Sequence, residues 1–155
     1  NYANGNSYIG QFMNDKPHGL GTLLEVDGNK YIGQWKNGEM NGHGTYIWGP
    51  KSNKKILFFF RSKSKRSGDK YVGQWENGEM NGHGIYIWGP HSKKSGDKYV
   101  GQWENGEKSG FGKITFSDGE IYIGEFLNDK KHGQGISIFP GKEKEFSIWK
   151  NGKKI

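Results

Sequence analysis

The segment Tyr31-Ile32-Gly33-Gln34-Trp35 recurs four more times along the chain with conservative changes, at residues 8–12, 71–75, 99–103 and 122–126. Within each copy, aromatic and glycine residues alternate with aliphatic and polar ones. This alternation is typical of a β-strand whose two faces differ. The first two tyrosines of the series lie 23 residues apart, and so do the last two. A fixed period of this size indicates an internal repeat.

The second half of each repeat predicts a turn followed by another strand. Residues 37–42 contain Asn and Gly, which adopt positive φ with little strain, and residues 44–48 are predicted to form a short strand. A lone hairpin is marginal in water, so successive hairpins must pair edge to edge. The sequence therefore predicts an all-β fold, an elongated single-sheet solenoid of tandem antiparallel β-hairpins. Twelve strands would span on the order of 55 Å.

The repeats are assigned to residues 5–27, 28–50, 68–90, 96–118 and 119–140, with a degenerate cap at 141–155. The whole chain, residues 1–155, is thus one array that carries a basic insertion at 51–67. In the cap, Glu145 and Ser147 stand where the repeat has Tyr and Gly, and end repeats of solenoids are commonly atypical. The chain begins at Asn1 without Met or a signal peptide, which predicts that it is a piece of a longer protein.

The composition suits such an array better than an ordinary globular core. Glycine accounts for 27 of 155 residues and aromatic residues for 15%, whereas the hydrophobic fraction is only 31%. Disordered chains lack aromatic residues, so disorder is also disfavoured. The chain has no cysteine, which excludes disulfides and thiolate metal sites. The expected location is cytoplasmic, with association to a membrane or the cytoskeleton left open.

The net charge of +7 does not belong to the repeats. Residues 51–67 contain seven basic residues and no acidic one, and the rest of the chain has 16 of each. The array is therefore neutral, and we expect no nucleic-acid partner.

The insertion is a candidate membrane-contact loop, since basic side chains around three phenylalanines favour an anionic lipid surface. The residues of this loop are Lys54, Lys55, Phe58, Phe59, Phe60, Arg61, Lys63, Lys65 and Arg66. The alternatives are a targeting signal, a phosphorylation site at Ser62 or Ser64, or a loop without a role of its own.

No pattern in the chain predicts catalysis, a metal or a cofactor. The five histidines show no ligand spacing, and the Gly-x-Gly motifs never extend to a phosphate-binding loop. The recurring acidic residues Glu39, Glu79 and Glu107 fall in predicted turns and do not form an acid–base pair.

The 23-residue pattern of Tyr-x-Gly-x-Trp/Phe followed by Gly-x-Gly resembles the MORN (membrane occupation and recognition nexus) repeat, over nearly the whole chain outside the insertion. The resemblance implies a grooved scaffold that binds a protein or peptide partner and has no catalytic activity. It also implies alternatives: anionic-lipid binding, homodimerisation through an end strand, or an accessory role beside a lipid kinase or lysine methyltransferase domain.

The aromatic face of the predicted sheet is the candidate partner-binding groove. Strand alternation places the repeated tyrosines and the tryptophan or phenylalanine on this face, with the aliphatic residues opposite. The candidate residues are Tyr8, Phe12, Tyr31, Trp35, Tyr71, Trp75, Tyr99, Trp103, Tyr122 and Phe126. Packing between repeats is the alternative role for the same rings.

Overall fold

The computed structural model describes residues 1–49 and 67–155, and these residues form strands and turns without a helix. The strands are β1 Ser7–Met13, β2 Lys16–Leu24, β3 Lys30–Lys36, β4 Glu39–Ile47, β5 Lys70–Glu76, β6 Glu79–Ile87, β7 Lys98–Glu104, β8 Glu107–Thr115, β9 Ile121–Leu127, β10 Lys130–Ile138, β11 Glu145–Lys150 and β12 Lys153–Lys154.

All twelve strands belong to one antiparallel sheet whose order follows the sequence from β1 to β12. Each repeat supplies one hairpin, and its second strand pairs with the first strand of the next hairpin. The predicted fold class is confirmed: the sheet is a tandem array of hairpins.

The turn of each hairpin is shorter than the sequence predicted. The prediction gave residues 37–42 to the turn, but only Asn37 and Gly38 separate β3 from β4. Both residues have positive φ, 53° and 92°, the geometry of a two-residue type I′ turn. This turn matches the right-handed twist of the strands, so pairing resumes at once and β4 begins at Glu39 instead of Gly44.

A β-bulge accounts for the turn-like composition of the residues that follow the two-residue turn. Between the pairs Gly33–Gly44 and Trp35–Met40, β3 has one residue and β4 has three. Gly42 takes φ +90° within the bulge. The Gln34 side chain fills the gap, where its Oε1 accepts a hydrogen bond from the His43 backbone N–H at 2.6 Å. Gln11, Gln74, Gln102 and Glu125 make the same contact in their repeats, which gives the fourth residue of the motif its role.

The two faces of the sheet differ in exposure as the alternation predicted. Tyr31 and Tyr71 are fully buried at 0% exposure, whereas the adjacent Ile32 and Val72 are exposed at 44% and 37%. The buried apolar cluster consists almost wholly of the aromatic side chains of one face. The core of this single-layer protein is therefore the aromatic face itself, and the aliphatic face is exposed.

A second recurring hydrogen bond joins consecutive repeats. For four of the five motif tyrosines, the residue two positions earlier accepts a hydrogen bond from the backbone N–H of the residue 20 positions after it, for example Asn29 from Gly49 at 2.8 Å and Asp69 from Gly89 at 2.7 Å. Asn6 and Asp97 make the equivalent bonds to Val26 and Ser117. These four bonds fix the segment before a motif tyrosine against the segment that follows the same repeat.

Candidate functional site

Each motif tyrosine lies flat over a pair of glycines on neighbouring strands. For Tyr71 the pair is Gly73 and Gly84, which face each other in the β5–β6 register. A Cβ on Gly84 would lie only 2.3 Å from the Tyr71 Oη. The Tyr71 hydroxyl donates a hydrogen bond to the Gln74 carbonyl at 3.0 Å, which holds the ring along its own strand. The tyrosine is therefore supported by the glycine of its own Tyr-x-Gly and by the second glycine of Gly-x-Gly in the same repeat.

The tyrosines and tryptophans form a continuous ladder along the array. Tyr71 meets Trp75 of its own repeat edge to face at 5.1 Å between ring centroids, and Trp103 of the next repeat at 5.4 Å. The same two contacts recur from Tyr8 to Tyr122. Edge-to-face pairs contribute roughly 0.5–1.5 kcal/mol each beyond the area that they bury. The ladder thus couples each repeat to its neighbours.

The ten predicted groove residues are the members of this ladder, and nearly all are buried. Tyr31, Tyr71, Tyr99 and Tyr122 have 0% exposure, and Trp35, Trp75, Trp103 and Phe126 have 4–7%. Tyr8 has 8%, and Phe12 alone is exposed, at 57%. Burial also raises the pKa of the Tyr71 hydroxyl, since a tyrosinate would lose its hydration there. These rings form the floor of the groove and offer a partner little surface.

The walls of the groove come from residues outside the ten candidate groove residues. One wall follows the second strands, where Trp48 and Trp88 are half-buried against the core. Trp48 packs on Tyr46 at 4.6 Å and Trp88 on Tyr86 at 4.8 Å. The sequence did contain a signal for this wall, because Tyr-Ile-Trp-Gly-Pro occurs identically at 46–50 and 86–90.

The opposite wall changes character along the array. The residue paired with the motif tryptophan or phenylalanine is Pro17, Met40 and Met80 in the first three repeats, then Lys108 and Lys131. Lys108 is 7% exposed and forms an ion pair with Asp129 at 2.5 Å. The groove is therefore apolar on this side in its first three repeats and cationic in the last two.

Lys131 illustrates the electrostatics of the cationic end. Its Nζ lies 4.2 Å from the centroid of the Tyr122 ring and 4.6 Å from that of Trp149. Desolvation lowers the pKa of the ammonium group, and the nearby Glu120 partly opposes this effect. The aromatic rings stabilise the cation through their negative faces.

The nine residues of the predicted membrane-contact loop lie outside the described residues. In the part of the chain that the structure covers, no group of three or more His, Cys, Asp or Glu residues could hold a metal ion. His43 and His83 lie within β4 and β6 and are exposed on the aliphatic face.

Comparison with known families identifies the repeat to which this ladder belongs. The family model of the MORN repeat matches five segments, residues 8–30, 31–52, 71–93, 99–121 and 122–142. The chain belongs to the MORN repeat family. Each match begins at a motif tyrosine, so a MORN unit starts with the ring that lies over its own glycine pair. A search of curated proteins finds no match to this MORN chain.

The family assignment agrees with the observed architecture. A MORN array is a repeat scaffold of hairpins, and MORN repeats are generally non-catalytic. Along residues 1–49 and 67–155, no helix is long and apolar enough to cross a membrane.

Proposed function

We propose that this MORN array is a non-enzymatic scaffold that binds a partner polypeptide along the groove of its aromatic face. The observation that supports the proposal is the half-buried wall of Trp48 and Trp88 above a rigid floor. Tryptophan side chains of this kind are enriched among the residues that dominate binding energy. The floor is held by the Tyr–Trp ladder, so the binding surface is preorganised and loses little entropy on association.

A selection of random 12-residue peptides displayed on phage tests this function. We expect that enriched peptides bind the wild-type array and bind the double variant Trp48→Ala/Trp88→Ala at least tenfold more weakly, because truncation of a central aromatic residue costs about 2 kcal/mol or more. The affinities are to be measured by fluorescence anisotropy with labelled peptides.

The matched control is Val72→Ala/Val100→Ala, which truncates two residues of the aliphatic face that are exposed at 37% and 40%. This control should retain wild-type affinity, and circular dichroism should show the same β-sheet content in both double variants. Equal losses in the two double variants, or no loss in either, would refute binding along the aromatic groove.

We also propose, as a second function, that residues 51–67 attach the array to anionic membranes. The supporting observation is the segregation of charge, with seven basic and no acidic residues in this segment. Each basic residue near an anionic surface contributes about 1 kcal/mol of binding energy.

Co-sedimentation with vesicles of mixed phosphatidylserine and phosphatidylcholine tests the second function. Deletion of residues 51–66 keeps Ser67, which is buried at 7% exposure. The deletion leaves six residues between β4 and β5, one more than the five that join β2 to β3, so the hairpins should still pair. We expect binding to be lost on deletion, and undiminished sedimentation of the deleted chain would contradict the proposal. Vesicles of phosphatidylcholine alone are the control.

A further inference from the structure

The connection between the third and fourth repeats differs from the others that the structure describes. Ten residues, 88–97, join β6 to β7, whereas five residues join β2 to β3 and β8 to β9. We call these ten residues the 88–97 loop. Two hydrogen bonds join the ends of the loop. Trp88 N–H donates to the Asp97 carbonyl at 3.0 Å, and Gly96 N–H donates to the Trp88 carbonyl at 3.1 Å. Three further backbone hydrogen bonds within it define successive turns.

The 88–97 loop forms one side of a cavity of about 300 Å³ in the groove. The apolar part of the lining comes from Met80, Tyr86, Trp88 and Trp103. Lys93 and Lys94 of the loop supply a cationic rim, and Lys94 Nζ lies 5.3 Å from the Trp88 ring centroid. A cavity of this size is at the small end of ligand sites. It suits one or two side chains of a bound peptide.

The acidic groups at the cavity are already compensated by neighbouring donors. Asp69 is 1% exposed, and its two carboxylate oxygens accept hydrogen bonds from the Tyr86 hydroxyl at 2.5 Å and from the Gly89 N–H at 2.7 Å. Asp129 forms the ion pair with Lys108. The field at the mouth of the cavity is therefore set by the two exposed loop lysines, for which the described residues provide no ion-pair partner.

We infer that this cavity selects a peptide in which an apolar side chain, aromatic or leucine, is adjacent to an aspartate or glutamate. The apolar side chain packs on Tyr86, Trp88 and Trp103, and the carboxylate lies against Lys93 and Lys94. Charge complementarity at the rim of a binding site determines specificity and association rate more than total affinity. A basic side chain at the same place is repelled. This inference rests on the proposed binding of a polypeptide in the groove, and it names the chemistry of that polypeptide.

The peptides enriched in the phage selection provide the test. We expect acidic residues next to an apolar residue to be over-represented among them. The charge reversal Lys93→Glu/Lys94→Glu should weaken their binding about fivefold to twentyfold, as expected for the loss of two exposed ion pairs and their replacement by repulsion. A selection on the charge-reversed variant should enrich basic residues at the same position. Raising the salt concentration should weaken peptide binding to the wild type. It should also reduce the difference in affinity between the wild type and the charge-reversed variant.

The matched control is Lys70→Glu/Lys98→Glu, which makes the same change in net charge with two exposed lysines of the strands. Both side chains lie on the aliphatic face, opposite Tyr71 and Tyr99. This control should bind the peptides like the wild type.

The outcomes separate this inference from the proposed function. Peptides that require Trp48 and Trp88 but show no acidic preference, or bind the charge-reversed variant equally well, would overturn the inference and leave groove binding intact. An equal loss in the two charge variants would also overturn it, because the effect would then come from net charge. The absence of any groove-dependent peptide would overturn both.

Discussion

Replacement of Gly84 by alanine should reduce the free energy of unfolding by about 3 kcal/mol, the upper part of the range for overpacking a rigid core. The new Cβ would lie 2.3–2.4 Å from atoms of the Tyr71 ring. That ring cannot move aside, because its hydroxyl is bonded to the Gln74 carbonyl and its faces and edges are fixed by Trp75 and Trp103. The loss should appear in urea denaturation of the full chain, followed by tryptophan fluorescence.

Gly78→Ala is the matched control in the turn of the same hairpin. Gly78 has φ +83°, so an alanine there is strained by about 1–2 kcal/mol, but no atom lies within 4 Å of the added Cβ. Gly84→Ala should therefore be clearly more destabilising than its control. Equal effects would show that close contact with the Tyr71 ring is not what requires glycine at position 84.

The fold could be predicted from the sequence because its determining signals are local and repeated five times. Alternation along residues 31–35 sorts side chains between two faces without knowledge of any distant contact. The 23-residue period then requires every repeat to have the same neighbours, so one hairpin predicts the whole sheet. This is why the single sheet and its aromatic and aliphatic faces were both predicted correctly.

The length of the turn and the residues that form the groove walls depend on the pairing register of the strands, which the sequence does not show directly. Asn41 and Gly42 have turn composition, but they belong to a bulge that the Gln34 side chain closes. The composition of this bulge resembles that of the turn, since Gly42 adopts positive φ in the bulge as Gly38 does in the turn. The register that results places the tyrosine over two glycines and buries it. Solvent then reaches the residues that follow the second strand, such as Trp48.

The cavity at the 88–97 loop lay beyond sequence reasoning for a different reason. Residues 91–95 fall between the repeats assigned to 68–90 and 96–118, but the side of the sheet to which a loop folds is set by its own turns. Here the hydrogen bonds at Ser92, Ser95 and Asp97 bring Lys93 and Lys94 to the aromatic face. An alternating pattern cannot predict this placement, because the loop residues belong to no strand.

Tyr71→Ala should reduce the free energy of unfolding by roughly 3–5 kcal/mol, the range for removing a fully buried aromatic side chain. Tyr71 is 0% exposed and contacts Trp75 of its own repeat and Trp103 of the next. Tyr71→Phe keeps the ring and both contacts but removes the hydrogen bond to the Gln74 carbonyl, so its cost should be only about 1 kcal/mol. Urea denaturation of the three proteins gives the comparison.

The form of the transition is as informative as its midpoint. In a repeat array each unit is stabilised by its interfaces with its neighbours, and here the ladder adds to the coupling that strand pairing provides. Tyr71→Ala removes one of the two ring contacts that join the third repeat to Trp103 of the fourth, the other being that of Tyr86. We therefore expect unfolding to split into two transitions in the alanine variant and to stay single in Tyr71→Phe. A single transition with a loss near 1 kcal/mol in Tyr71→Ala would show that the ring is dispensable for packing. The motif tyrosines would then be available to a partner. With the expected result, alanine variants of the ladder report on folding, and the groove has to be tested at its walls, at Trp48 and Trp88.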